Sequence, residues 1–216
     1  ALRLDNAGTS WSQKTTWSLF GATGYTSLQN VHADHHALAY APGSSTRMVL
    51  GTDGGIDFTS DADNPSTGTY PSFARKNSGY NVTQFYAVAN HPTNPNFFLA
   101  GSQDNGSHRF TSAGMNSTTQ VTGGDGAFCH IDQNEPNIMI TSYVFNNYYV
   151  STNGGASFSS RSKNNSGGFI NPTDYDDYAN ILYGGNSAGT YFRWLSPATN
   201  GANSSVSVSN FASGSV

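Results

Sequence analysis

Four stretches of this chain follow one plan, and equivalent points recur at a period of about 40–50 residues. The first covers residues 35–42, 47–55 and 56–58, and the second 84–92, 97–106 and 107–110. The third covers 127–132, 137–142 and 148–151, and the fourth 168–172, 180–185 and 190–194. Each copy reads as a strand, a turn with Pro or Asn, a second strand, a Gly/Asn/Asp turn and a third strand. A weaker fourth strand follows, as at residues 156–160. Such a unit cannot bury its own apolar faces. It has to stack on its neighbours.

The period suits a four-stranded blade, so the expected fold is all-β: a β-propeller of four-stranded antiparallel blades, about 4–5 of them in this chain. The first and second strands of each copy are apolar at consecutive positions, as strands covered on both faces would be. The blades are placed at residues 31–80, 81–122, 123–165 and 166–200. Residues 1–30 read as a partial blade and 201–216 as the start of a further one. The chain therefore reads as one propeller domain or a fragment of a larger propeller. No linker or shift in composition interrupts it.

Composition agrees and narrows the function. There are 24 Gly, 12 Tyr and 13 Phe, charged residues make up 10%, and Glu occurs only at Glu135. Turn formers and aromatics with few helix formers favour strands and tight turns. The net charge is −4 and no Lys/Arg block exists, so no nucleic-acid partner is expected. No apolar run reaches the ~20 residues of a membrane span. A single cysteine, Cys129, rules out an internal disulfide. A Lys-poor, Asn/Ser/Thr/Gly-rich surface points to a bacterial protein exported to the cell surface or beyond.

Two hairpin turns share a further pattern. One is Ser151, Asn153, Gly155, Ser157 and Phe158; the other is Leu4, Asp5, Asn6, Gly8, Ser10 and Trp11. In both, a short Asp or Asn side chain can accept turn N–H groups, Gly takes positive φ, and an aromatic packs back on the hairpin. This resembles the Asp-box (BNR) repeat, Ser-x-Asp-x-Gly-x-Thr-Trp, with Asn153 in the place of Asp. Residues 32–37, 51–56, 83–86, 101–106 and 123–126 extend the resemblance to exported propeller proteins of Bacteroidetes that carry a glycosyl hydrolase label. More distantly, the chain is similar to sortilin-type and xyloglucanase-type propellers. The resemblance spans residues 1 to about 195 and implies fold more than activity.

In an up-and-down blade the lead-in to the first strand and the second turn lie at one end, and the other two turns lie at the opposite end. The Asp-box turns (Asp5, Asn6, Gly8, Trp11; Asn153, Gly155, Phe158) are structural and fall at one end. The opposite end gathers His32, Asp34, His36, Asp53, Gln84, Gln103, Asp104, Asn105 and Asp125, the candidate ligand-binding residues. On a regular strand His32, Asp34 and His36 would share a face. Hydrogen bonding is their ordinary role, and no metal is assigned to them. Zinc on His32, Asp34 and His36 is the alternative to that role, and calcium at Asp61, Asp63 and Asn64 is the alternative to a plain solvated loop. Tyr143, Phe145, Tyr148 and Tyr149 read as core.

The expected function is an exported or cell-surface module that binds a polysaccharide or a secreted or surface protein. The resemblance to xyloglucanase-type enzymes implies an alternative, a glycoside hydrolase in which Asp53 and Asp125 act as general acid and base. Their carboxyl groups would then stand ~6.5–9.5 Å apart for inversion or ~5–5.5 Å for retention. A sialidase is disfavoured by scattered arginines and a lone Glu135. The third reading is a structural module of an adhesin or filament.

Overall fold

A run of antiparallel hairpins builds this protein. The structure, a computed structural model, describes residues 2–5, 10–13, 15–16, 29–32, 34–63, 71–80, 83–114, 118–163 and 165–208. Contacts group the chain into two units, Ala1–Val82 and Thr83–Val216, which are described separately.

In the first unit β1 (Leu2–Asp5) pairs with β2 (Ser10–Gln13), with Asp5 opposite Ser10 and Leu4 opposite Trp11. β3 (Thr15–Thr16) runs parallel to β4 (Gln29–Asn30). β5 (His35–Tyr40), β6 (Met48–Thr52), β7 (Gly55–Thr59) and β8 (Ala74–Arg75) then form a four-stranded antiparallel meander. Its core is Val31, Met48, Leu50 and Ala62, with Phe73 against them.

The second unit holds three such meanders. They are β9 (Ala87–Asn90), β10 (Phe98–Ser102), β11 (Gly106–Phe110) and β12 (Thr119–Thr122); β13 (Cys129–Ile131), β14 (Met139–Ser142), β15 (Asn147–Ser151) and β16 (Ser159–Ser162); and β17 (Thr173–Asp176), β18 (Ile181–Gly185), β19 (Thr190–Leu195) and β20 (Asn203–Ser207). All four meanders are the blades of an all-β propeller. Among the described residues the only helical turn is Pro197–Thr199. No helix there is long and apolar enough to cross a membrane.

Consecutive blades of the second unit bury each other's faces. Met139 points to one neighbour and joins Leu99, Cys129 and Ile131, with Phe158 and Val121 beside them. Ile140, one residue on, points to the other and joins Tyr148, Val150, Tyr175, Leu182, Phe192 and Trp194. β14 is therefore buried at every position, its polar Thr141 and Ser142 included. Each such side chain contributes about 1.5–3 kcal/mol by leaving water.

Two expectations are corrected. β5 has an apolar run but is exposed along its length, whereas β13, the equally placed edge strand of its own sheet, is covered by the Leu99 cluster. The sequence places the start of a new blade at residues 201–216, yet within the described part of that segment β20 pairs with β19 as the outer strand of the blade begun by β17. The cause is local: Ser196 and Asn200 adopt left-handed backbone, and Gly201 N–H donates to Ser196 O at 3.2 Å, turning the chain back along β19.

Candidate functional site

In the first unit the β6–β7 turn is held from two sides. Asn77 accepts from Ile56 N–H at 2.8 Å and donates to Gly54 O at 2.7 Å. His32 lies on the other side, so close that a Cβ on Gly54 would come within 2.6 Å of its ring. The turn tip carries Asp53, exposed and paired with His36 Nε2.

His36 reaches Asp53 through a bulge. The register slips between His35, opposite Thr52, and Ala37, opposite Gly51. The extra residue re-aims the side chain. Asp34 precedes β5 in left-handed backbone (φ 58), and its carboxylate lies within 4.8 Å of that of Asp53. His32, Asp34 and His36 therefore do surround one turn. The cause is a bulge and a left-handed residue, where strand alternation had been expected. His36 and Asp53 are both solvated, so their attraction is worth at most about 1 kcal/mol.

Burial pushes the neighbouring His35 imidazole below its ordinary pKa, while the Asp57 and Asp34 carboxylates oppose that shift. Asp57 is a residue the sequence reading missed. It is 3% exposed, with one oxygen 3.8 Å from Arg75 Nε and the other without a hydrogen bond.

In the second unit the β10–β11 turn packs against the lead-in to the next blade. Asp104, at φ 61, donates its backbone N–H to Asp125 Oδ1 at 3.2 Å. Gly126 N–H donates to Ser102 O at 2.8 Å. This threading needs glycine, since a Cβ on Gly126 would sit 2.3 Å from Gly106 O. Gly126→Ala is therefore expected to lose about 1–3 kcal/mol in urea unfolding, the usual cost of overpacking. An unchanged midpoint would refute the packing argument.

Tyr86 OH bonds to the Gln103 side chain, and Gln84 is exposed on the lead-in to β9. Asn105 O accepts from His108 Nε2 and Gln120 Nε2 at 2.7 and 3.0 Å.

The hairpin at Asn153 lies at the other end of these sheets, where Gly154 N–H donates to Asn137 O at 3.0 Å. Asn153 Oδ1 accepts from Ser157 N–H at 3.0 Å, Gly154 and Gly155 have positive φ, and Phe158 packs inward. Of the matching N-terminal motif, Asp5 and Trp11 are described as strand backbone, and Asn6 and Gly8 lie outside the described residues. In the Asp61 loop, Asp61 Oδ1 accepts from Thr59 Oγ1 at 2.5 Å and Ser72 N–H at 2.9 Å, and Asn64 lies outside the described residues.

No family model matches the chain, and neither does any curated protein. Among solved structures, a crystal structure of an ancestral GH74 enzyme is similar at 18% identity and a TM-score of 0.46, covering 83% of this chain and 24% of that one. Sqt1 of Saccharomyces cerevisiae is similar at 18% identity and a TM-score of 0.45, covering 58% of this chain and 35% of that one. The chain thus spans about a quarter and about a third of those two proteins.

Aromatics also depart from expectation. Tyr148 is buried, as expected, and burial raises its hydroxyl pKa. Phe145 is instead 39% exposed at the β14–β15 turn, and Phe169, which sequence reasoning did not single out, is 45% exposed beside it. The sign of φ at Phe145 decides this, and composition carries no trace of it. Cys129 is buried, which pushes its thiol up to about 12 and leaves it inert.

Proposed function

We propose that this chain is an exported or cell-surface propeller module that binds a glycan or a protein through the loops carrying Asp53, Asp104 and Asp125. The observation that carries this reading is the use made of Asp125. Its carboxylate accepts the Asp104 N–H and thereby fixes a neighbouring turn. A general acid or base must have its carboxyl group available to the substrate. A carboxylate employed in shaping a turn suits a recognition surface better than hydrolysis. Asp53 is likewise presented on a turn clamped by His32 and Asn77. Pre-organised loops of this kind bind at lower entropic cost.

The test combines binding and turnover. Binding to a glycan array and to proteins captured from the surface of the source cells is expected to fall in Asp53→Asn and Asp104→Asn. Asp125→Asn keeps an oxygen acceptor for Asp104 N–H, so its stability should stay within about 1 kcal/mol of the parent. Release of reducing ends from polysaccharides that Asp125→Asn abolishes would sink the binding reading and establish the hydrolase.

A further inference from the structure

At the same end of the sheets as Asp104 and Asp125, two loops of the second unit meet in an aromatic corner. Phe145, on the β14–β15 turn, and Phe169, on the lead-in to β17, have ring centroids 5.9 Å apart and planes at 80°. Both rings are substantially exposed, at 39% and 45%. The backbone beneath is tied: Phe145 N–H donates to Gly168 O at 3.3 Å, and Gly168 N–H to Asn171 Oδ1 at 2.6 Å. Asn146, fully buried, donates to Gly185 O at 2.8 Å and accepts from Tyr148 OH at 2.6 Å.

Phe145 and Asn146 are consecutive left-handed residues, at φ 55 and 57. Such a turn favours Asn, Asp or Gly at both positions, and a bulky Phe there is strained. The fold thus bears strain to hold a large apolar ring half in water. Strain of this kind gathers where a ligand is held.

The chemistry around the corner selects the ligand. Residues 143–147, 165–171 and 185–189 contain no Asp, Glu, Lys or Arg. They offer aromatic rings, amides and hydroxyls: Asn147 donates to Asn165 Oδ1 at 3.2 Å, and Ser166 bonds to Asn186. A charged polymer gains nothing from such a surface. A neutral sugar does, because its C–H face can leave water against a ring while its hydroxyls meet amides.

We propose that the Phe145–Phe169 corner is a subsite for a neutral sugar ring of a polysaccharide. This rests on the glycan-binding reading above and names its ligand class.

Native gels containing hydroxyethylcellulose, galactomannan or mixed-linkage glucan, with polygalacturonate and alginate for comparison, provide the test. At least one neutral polymer should retard the parent protein. Phe145→Ala and Phe169→Ala should each weaken that retardation about tenfold. Phe145→Trp should keep it, with Trp fluorescence that responds to the polymer. Phe145→Asn suits the left-handed backbone, so its Tm should stay within about 4 °C of the parent while binding is lost.

Retardation by anionic polymers alone, or by none, overturns the subsite. Undiminished retardation of both Phe→Ala variants also overturns it. If Asp104→Asn then abolishes binding, the loop-face function stands and only the aromatic subsite falls. A Tm loss in Phe145→Asn matching its loss of binding would make the ring structural and overturn the subsite as well.

Discussion

Trp194→Ala is expected to destabilise the second unit by about 3–5 kcal/mol, the range for removing a large buried aromatic. Trp194 is 0% exposed. It packs with Leu182 and Phe192 of its own blade and with Ile140, Tyr148 and Val150 of the preceding one. Its indole N–H donates to Gly201 O at 3.1 Å, and Lys163 Nζ lies 4.1 Å from the ring centroid. The substitution therefore opens a cavity between two blades, orphans the Gly201 carbonyl and removes a cation–π contact. Tyr178→Ala is the comparison, because that ring is 96% exposed and its loss should stay within about 0.5 kcal/mol. Urea unfolding of both variants gives the measure. Equal midpoints would mean that the interface between these blades does not carry the fold.

The blades were legible because their physics is repeated and local. A strand covered on both faces needs apolar side chains at successive positions, and Met139 and Ile140 show that directly. The hairpin at Asn153 was legible because one amide, two glycines and one aromatic suffice to make it. What escaped depends on backbone states that composition does not reveal. β20 reads Asn-Ser-Ser-Val-Ser, without an apolar signature, and left-handed Ser196 and Asn200 assign it to its blade. A one-residue bulge sets the aim of His36. The sign of φ at Phe145 turns an apparent core residue outward. Of the candidate site, residue types and loop positions could be read, whereas the tie of Asp125 to the Asp104 N–H is a tertiary fact.

Polar groups tie neighbouring blades together at the end of the second unit that bears Asn153. At the end bearing Asn153, Gln133 Nε2 donates to Asn90 O at 3.1 Å and Ile131 O at 2.7 Å, and Gln133 N–H donates to Asp177 Oδ1 at 3.0 Å. One residue thereby ties three blades together, its side chain reaching one neighbour and its backbone N–H the other. Asp132, 1% exposed, accepts from Asn134 N–H, Glu135 N–H and Tyr175 OH. Burial, and then the Asp132 carboxylate, drive the Tyr175 pKa upward. This end uses its polar groups to hold blades together. Exposed side chains occur at both ends, Tyr178 at this one and Gln103, Phe145 and Phe169 at the opposite one, and the proposed recognition uses the latter group.

Acidification should act through His130. It is half-buried between blades, with Nε2 2.8 Å from Thr173 Oγ1 and its ring 6.2 Å from that of Tyr175. Burial lowers its pKa from 6.5 to about 4, while Asp174 draws it upward without prevailing. The fold thus favours the neutral imidazole. Its contribution is complete above pH 6.5, where the unfolded histidine is neutral too, and is lost as pH falls from 6.5 towards 4. A shift of that size corresponds to about 3 kcal/mol at most. Asp177 works in the opposite sense. Burial raises its pKa, so the folded state takes up that proton more readily and gains from acidification. Its effect falls at the acidic end of the window, near ordinary carboxylate titration, so the His130 slope should stand out closest to pH 6. His130→Gln retains a polar partner for Thr173 and removes the titration. The parent should lose stability between pH 6.5 and 4.5 more steeply than His130→Gln, measured as urea midpoints across that range. Superimposable pH profiles would show that protonation of His130 is not what loosens these blades.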